Sequence, residues 1–197
     1  MFLAHLQAVL IPISLGIKSK KKFKQISLPF LTPYAFISLG LASMFEMFDH
    51  TTTDWIYKDH TSIFNWLFYS FLSIGLSFFT ISVAKNKSII ATNFVLIIAA
   101  IFSYWFLGKS STLLFQVFIS ILLISQWWIR FKDWVFLLYP ITGVFFTTFF
   151  GIILSSSGEQ IWHLFIGPSG TISVLAFYSV LNRSRKKEII TAKYDLD

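Results

Sequence analysis

The sequence contains no cysteine, and only 13% of its 197 residues are charged. The absence of cysteine excludes disulfide bonds, zinc–thiolate sites and iron–sulfur clusters. A soluble domain carries about 25% charged residues, whereas this chain is 55% hydrophobic and includes 24 phenylalanines. This composition argues against a water-soluble globule and against an intrinsically disordered chain.

The apolar residues form long unbroken runs, which favours membrane-spanning helices over a β-barrel, whose strands alternate with period two. A bilayer core about 30 Å thick needs roughly 20 helical residues. Seven segments are candidate spans: Phe2–Ile17, Leu28–Phe48, Ile63–Ala84, Ser88–Leu107, Ser111–Ile129, Trp134–Leu154 and Ile161–Leu181. The first is short, about 24 Å long, so it either crosses the membrane or lies in the interface. The sequence thus predicts an all-α transmembrane bundle of seven helices, or six if the first is interfacial.

Lysine and arginine predict the orientation, because they accumulate in cytoplasmic loops. Fourteen of the 16 basic residues fall in the first, third and fifth loops and in the C-terminal tail, whereas only Lys58 and Lys109 lie on the opposite side. We therefore expect the N-terminus outside and the C-terminus in the cytoplasm. The net charge of +7 follows from this topology and does not indicate nucleic-acid binding. The expected partners are membrane lipids.

The predicted organisation is a single transmembrane domain, residues 1–182, followed by a basic cytoplasmic tail, residues 183–197. The chain is expected to be a multi-pass integral membrane protein of a plasma, inner or internal membrane. Tryptophans near the span ends, among them Trp105, Trp127 and Trp134, match the aromatic belts of membrane interfaces.

All four histidines and five of the acidic residues fall on the predicted outer side. Ionisable residues at membrane depth indicate function, because desolvating them is costly. Ser43, Glu46 and His50 share one face of span two, since they are three and four residues apart. Glu159 and His163 share a face of span seven in the same way. Two polar stripes can satisfy one another inside a bundle, so we expect spans two and seven to be neighbours.

Two stretches resemble the alkaline ceramidase and adiponectin-receptor-like superfamily of seven-helix membrane hydrolases. Residues 40–43 (Gly-Leu-Ala-Ser), followed by residues 48–51 (Phe-Asp-His-Thr), look like its Gly-x-x-Ser segment leading to a histidine. Asp59 then stands where the superfamily places its aspartate. Residues 159–163 (Glu-Gln-Ile-Trp-His) look like its His-x-x-Trp-His motif, with Glu159 in place of the first histidine.

The resemblance implies a zinc-dependent hydrolase acting on a lipid amide or ester bond. His50 and His163 would be zinc ligands, with Asp59 or Glu159 as the third. Two imidazoles and a carboxylate with one open position form a known catalytic zinc arrangement. Ser43 would hydrogen-bond the oxyanion or the water, and Glu46 would be a general base.

Three other classes remain open. The strongest is a small membrane protein without chemistry, such as a lipid-packing, assembly or accessory subunit, which needs only the apolar spans. Histidines at one membrane depth would also suit haem ligation. A transporter is the third class, because residues 167–170 (Gly-Pro-Ser-Gly) could break span seven. For that segment we prefer close helix packing through small residues.

The charge asymmetry makes the orientation testable by cysteine labelling in intact cells. A membrane-impermeant maleimide should react with a Ser157→Cys variant, because its loop is predicted outside, and should not reach Ser19→Cys. The reverse labelling pattern would contradict the predicted orientation.

Overall fold

Seven helices make up the computed structural model, which describes residues 2–20, 22–23, 26–52, 62–143 and 159–194. They are α1 (Phe2–Ser19), α2 (Leu31–Thr52), α3 (Ile63–Val83), α4 (Lys87–Leu107), α5 (Lys109–Phe131), α6 (Trp134–Gly143, opening with a 3-10 turn over Trp134–Leu137) and α7 (Glu159–Tyr194). The described residues contain no strand. The predicted all-α bundle of seven helices is therefore confirmed. Below, "outer" and "inner" are the two ends of the bundle as the charge pattern assigns them.

Four helices are long and apolar enough to cross a membrane, over Leu31–His50, Ile63–Val83, Lys87–Leu107 and Lys109–Phe131. Their ends lie within a few residues of the predicted spans. The largest difference among them is at the outer end of α2, which continues past Phe48 to Thr52. Asp49 and His50 are therefore helical residues and not loop residues.

Local signals in the sequence begin the helices. The Ser62 hydroxyl accepts a hydrogen bond from the Asn65 amide at 3.0 Å and caps α3. The Asn86 side chain caps α4 by accepting from the Ser88 amide at 2.8 Å. The connections from α3 to α4 and from α4 to α5 are so short that these consecutive helices are antiparallel neighbours.

Close glycine contacts hold α1 antiparallel to α2. A β-carbon built on Gly40 would lie 2.7 Å from Ile13 Cγ1 and 2.9 Å from the Val9 carbonyl oxygen, and one on Gly16 would lie 2.8 Å from the Pro33 carbonyl oxygen. Small residues at such crossings let membrane helices approach backbone to backbone. Since α1 runs along α2 and also packs against α7, it shares the tilt of the bundle. This arrangement favours the spanning alternative for the first segment over the interfacial one.

Interlocked aromatic rings fill the inner half of the bundle. Phe79 stacks on Phe177 with ring centroids 4.6 Å apart, and it meets Phe36 edge to face at 4.7 Å. Trp127 is fully buried among these rings, and its indole donates to the Phe79 carbonyl at 2.9 Å. Trp127 lies near the inner end of α5 as expected, but the belt role expected for it is wrong, because its N–H finds its partner inside the protein. Trp134 is 72% exposed, as a belt residue should be.

The last helix is 36 residues long, or about 54 Å at the helical rise. It is continuous through Pro168, so the break at residues 167–170 that the transporter alternative invoked is not observed. The helix also continues beyond residue 183 into the predicted basic tail. Arg183 lies within 3.3 Å of Asp133, the N-cap residue of α6, and this ion pair links α7 to the inner end of α6.

The α1–α2 crossing predicts opposite effects for two glycine substitutions. Gly40→Ala should destabilise the protein by about 1–3 kcal/mol, because the new methyl group presses on the α1 backbone. Gly170→Ala is the matched control, since no described atom lies within 4 Å of its β-carbon position. It should be neutral or stabilising by up to about 1 kcal/mol through helix propensity. Thermal unfolding in detergent measures both, and equal melting temperatures for the two variants would contradict the crossing.

Candidate functional site

Three ionisable side chains meet at the outer end of α1 and α2. One ligand atom from each of His5, Glu46 and His50 lies within 4.8 Å of the other two. His5 Nε2 lies 3.9 Å from Glu46 Oε2, and the two imidazole centroids are 5.8 Å apart. His5 and His50 are buried, at 1% and 9% exposure. We call this group the His5–Glu46–His50 cluster.

The cluster follows from two levels of structure. Glu46 and His50 are four residues apart, so α2 places them on one face. His5 comes from the first turn of α1, which lies beside the last turn of α2 because the two helices are antiparallel. The glycine contacts near the middle of the two helices therefore set which side chains meet at their outer ends.

The donor set of the cluster suits a borderline divalent cation. Imidazole nitrogen and carboxylate oxygen bind zinc at about 2.0–2.2 Å, so bound ligand atoms lie closer together than the 4.8 Å limit of the cluster. Rotation of the side chains would have to bring them together by about an ångström. Because Glu46 also lines a cavity, such a centre would have one side open to a ligand.

Asp49, next to His50 in sequence, belongs to a different network. Its carboxylate accepts hydrogen bonds from the Ser62 hydroxyl and from Asn65 Nδ2, the latter at 3.1 Å. The Tyr104 hydroxyl in turn donates to Asn65 Oδ1 at 2.9 Å. This network joins α2 to α3 and α4, whereas Glu46 and His50 face α1. It therefore fixes the outer turn of α2 against α3 and α4.

A cavity of about 680 Å³ begins at Glu46 and extends inward between the helices. Its wall is mostly apolar, and it comes from α1, α2, α3, α5, α6 and α7, represented by Ala8, Ser43, Leu72, Val117, Gly143 and Ser173. From Leu113 to Ile124 on α5 it covers about 16 Å of helix. Phe177, from the aromatic core, lines its inner part. We call it the bundle cavity.

Of the residues predicted for the site, the structure brings together Glu46 and His50, and it places Ser43 on the wall of the same cavity. Asp59 lies outside the described residues. Glu159 and His163 lie in the outer turns of α7, but their side chains are outside the described part. The roles predicted for these three residues stay predictions.

The expected contact between spans two and seven is found only in part. In the described residues α7 packs along α1, and it meets α2 in the inner half, where the Phe36 and Tyr178 ring centroids are 6.1 Å apart. Sequence reasoning missed His5 as a member of the site. The signal was present, because His5 and His50 stand at the outer ends of consecutive, antiparallel segments.

The small residues of α7 have a different environment from the one we preferred. Gly167, Ser169 and Gly170 line the bundle cavity. A β-carbon on Gly170 would have no described atom within 4 Å. At Gly170 the absence of a side chain therefore leaves space for the cavity and does not serve close helix packing.

Comparison with known proteins gives one family. A family described as seven transmembrane receptor (7TM_cyano) matches residues 1–187. No curated protein and no solved structure matches the chain. The matched range contains α1 to α6 and most of α7, which confirms the seven-helix membrane architecture and the expected multi-pass integral membrane protein.

Proposed function

The chain belongs to the seven transmembrane receptor family, and we propose that it is a metal-dependent membrane hydrolase that cleaves an amide or ester bond of a lipid. The observation that carries the proposal is the His5–Glu46–His50 cluster at the mouth of the bundle cavity. The resemblance to the alkaline ceramidase and adiponectin-receptor-like superfamily supports the same reaction class.

His5, Glu46 and His50 are the proposed metal ligands, and zinc is the proposed metal. Two imidazoles with one carboxylate form a three-ligand set that leaves a position for water or substrate. The ligand set inferred from the sequence alone is thereby revised, since His5 and Glu46 replace His163 and Asp59 or Glu159. Glu46 then acts as a ligand, and its carboxylate is not free to be the general base.

A lipid substrate fits the position of the cluster. Glu46 is six residues from the outer end of α2, or about 9 Å below it. With that helix end taken at the level of the lipid headgroups, Glu46 would lie near the first carbonyl groups of a lipid. An acyl chain attached to that carbonyl would lie in the bundle cavity, whose volume is within the range of small-molecule sites, about 300–1,000 Å³. The mostly apolar wall would replace the surrounding lipid.

The proposed reaction adds water across the carbonyl–heteroatom bond. A bound zinc ion supplies Lewis-acid activation. The hydroxyl of the water forms the new bond to the carbonyl carbon, the bond to nitrogen or oxygen breaks, and the proton goes to the leaving amine or alcohol. Ser43 lies about one turn below Glu46 on the cavity wall. Its hydroxyl is placed to donate a hydrogen bond to the carbonyl oxygen as negative charge develops there.

Metal analysis of detergent-purified protein tests the ligand set. The wild type should bind one zinc ion, and His5→Ala and His50→Ala should lose it, because a site with three protein ligands cannot spare one. Asp49→Asn is the matched control. Its carboxylate is next to His50 in sequence but hydrogen-bonds to α3, so zinc should remain. Retention by His5→Ala together with loss from His163→Ala would instead support the ligand set predicted from the sequence.

Hydrolysis is tested with zinc-loaded protein in nanodiscs and two fluorescent lipids, one with an amide-linked acyl chain and one with an ester-linked chain. The wild type should release fatty acid from at least one of them, and a chelator should abolish release. Ser43→Ala should keep zinc but lose about 10²–10³ in rate, the usual cost of removing an oxyanion donor. Release that persists in chelator would contradict a metal-dependent reaction.

A ligand receptor without catalysis is the second candidate, favoured by the description of the family and by a cavity built from six helices. It shares the absence of catalysis with the alternative expected from the sequence, but that alternative was a lipid-packing, assembly or accessory subunit and not a receptor. The same nanodisc experiment distinguishes the two candidates. A lipid that binds in the bundle cavity and is recovered intact, with zinc present, favours the receptor.

A further inference from the structure

Two hydroxyl groups face each other on the wall of the bundle cavity, far below the His5–Glu46–His50 cluster. Ser120 of α5 and Tyr139 of α6 are hydrogen-bonded, with their oxygens 3.1 Å apart, and both residues line the cavity. The groups around them are mostly apolar. Ile121, Ile124 and Val117 line the same part of α5.

One of the two hydroxyl protons of the pair does not take part in the hydrogen bond between the two residues. Each hydroxyl carries one proton, and the Ser120–Tyr139 bond takes only one of the two. Neither hydroxyl forms another hydrogen bond within the described residues. By contrast, the Ser173 hydroxyl, which also lines the cavity, has the Ser169 carbonyl as an acceptor at 3.0 Å. The Ser120–Tyr139 pair therefore presents an O–H donor to the cavity.

The donor lies at a defined depth. Ser120 is eleven residues from the outer end of α5 and Glu46 is six residues from the outer end of α2. With the helix ends taken as level, the pair is about 8 Å further into the membrane than Glu46. When a ligand chain fills this mostly apolar part of the cavity, an O–H donor left without an acceptor costs free energy, and an acceptor oxygen on the ligand at that depth would remove the cost.

We propose that the bundle cavity selects an oxygenated acyl chain, whose second oxygen accepts a hydrogen bond from the Ser120–Tyr139 pair about 8 Å from the carbonyl group. The position of the carbonyl rests on the proposed function, in which it lies at the His5–Glu46–His50 cluster. The pair then distinguishes an oxygenated chain from a plain one. A plain chain would pass the same point and leave the donor unsatisfied.

Fatty-acid analogues with one ketone test the proposal, because a ketone accepts hydrogen bonds and donates none. In 7-oxotetradecanoic acid the ketone is six bonds from the carboxyl carbon, near the depth of the pair, whereas in 12-oxotetradecanoic acid it lies well below. Binding is measured by displacement of a fluorescent fatty acid from the protein in nanodiscs, and the zinc content of the same preparation is determined. The 7-oxo acid should bind about fivefold to tenfold more tightly than tetradecanoic acid, the usual contribution of one hydrogen bond. The 12-oxo acid should show no gain.

Three variants assign the preference to the pair. Tyr139→Phe combined with Ser120→Ala should abolish it, because no hydroxyl of the pair remains. Ser120→Ala should keep it, since the phenol is still a donor. Ser173→Ala, which removes a lining hydroxyl already bonded to the backbone, should also keep it. Affinity for tetradecanoic acid that does not fall in any variant shows that the cavity is intact.

Two results would overturn the proposal: equal affinities for the 7-oxo and 12-oxo acids, or a 7-oxo preference that survives the loss of both hydroxyls of the pair. The zinc content of the same preparation separates a failure of the selectivity from a failure of the proposed function. If zinc is absent from the wild type but the 7-oxo preference is present and depends on the pair, the metal site fails and the selective cavity stands. If zinc is bound and the preference is absent, the metal site stands and the selectivity fails.

Discussion

The close crossing of α1 and α2 is the contact on which the outer half of the structure depends. Gly16 and Gly40 let the two backbones approach until an added methyl group would collide with a carbonyl oxygen. This approach fixes the rotation of α1 about its axis, and the rotation decides that His5 faces Glu46 and His50. A wider crossing would leave Glu46 and His50 without a third ligand, and the proposed metal site would not form.

The two halves of the bundle are stabilised by different kinds of contact. In the inner half, aromatic rings such as Phe79, Trp127 and Phe177 interlock, and Phe177 forms part of the inner wall of the cavity. In the outer half, polar groups are held in pairs and networks, as in the contact of Asp49 with Asn65. The bundle cavity lies between these regions, so a ligand in it would have ionisable groups at one end and apolar rings at the other.

Much of the fold could be predicted from the sequence, because the cost of exposing backbone and charge to hydrocarbon determines span lengths and topology. Helical spacing also gave the shared face of Glu46 and His50. The inclusion of His5 could not be predicted in the same way. Hydropathy indicates which segments cross the membrane, but not how each helix is rotated about its own axis. Trp127 shows a similar limit. A tryptophan near the end of a span can lie in the aromatic belt at the membrane interface or in the core of the protein, and only the tertiary packing distinguishes the two.

Tertiary contacts determine the rest of the site. Nothing in the spacing of Ser120 and Tyr139 indicates that they meet, because they belong to different helices and each alone reads as an ordinary polar residue in a span. The hydropathy pattern also could not predict the length of α7. The basic residues after Leu181 end the apolar run, but they favour a helix.

X-ray absorption spectroscopy at the zinc edge tests the central claim, that His5 and His50 bind one metal ion, most directly. Purified protein loaded with zinc should show nitrogen and oxygen ligands at about 2.0–2.2 Å and outer-shell scattering from two imidazoles. In His5→Ala, any zinc that remains should show scattering from one imidazole fewer. A zinc spectrum without imidazole scattering, or one that is identical in the wild type and His5→Ala, would contradict the site.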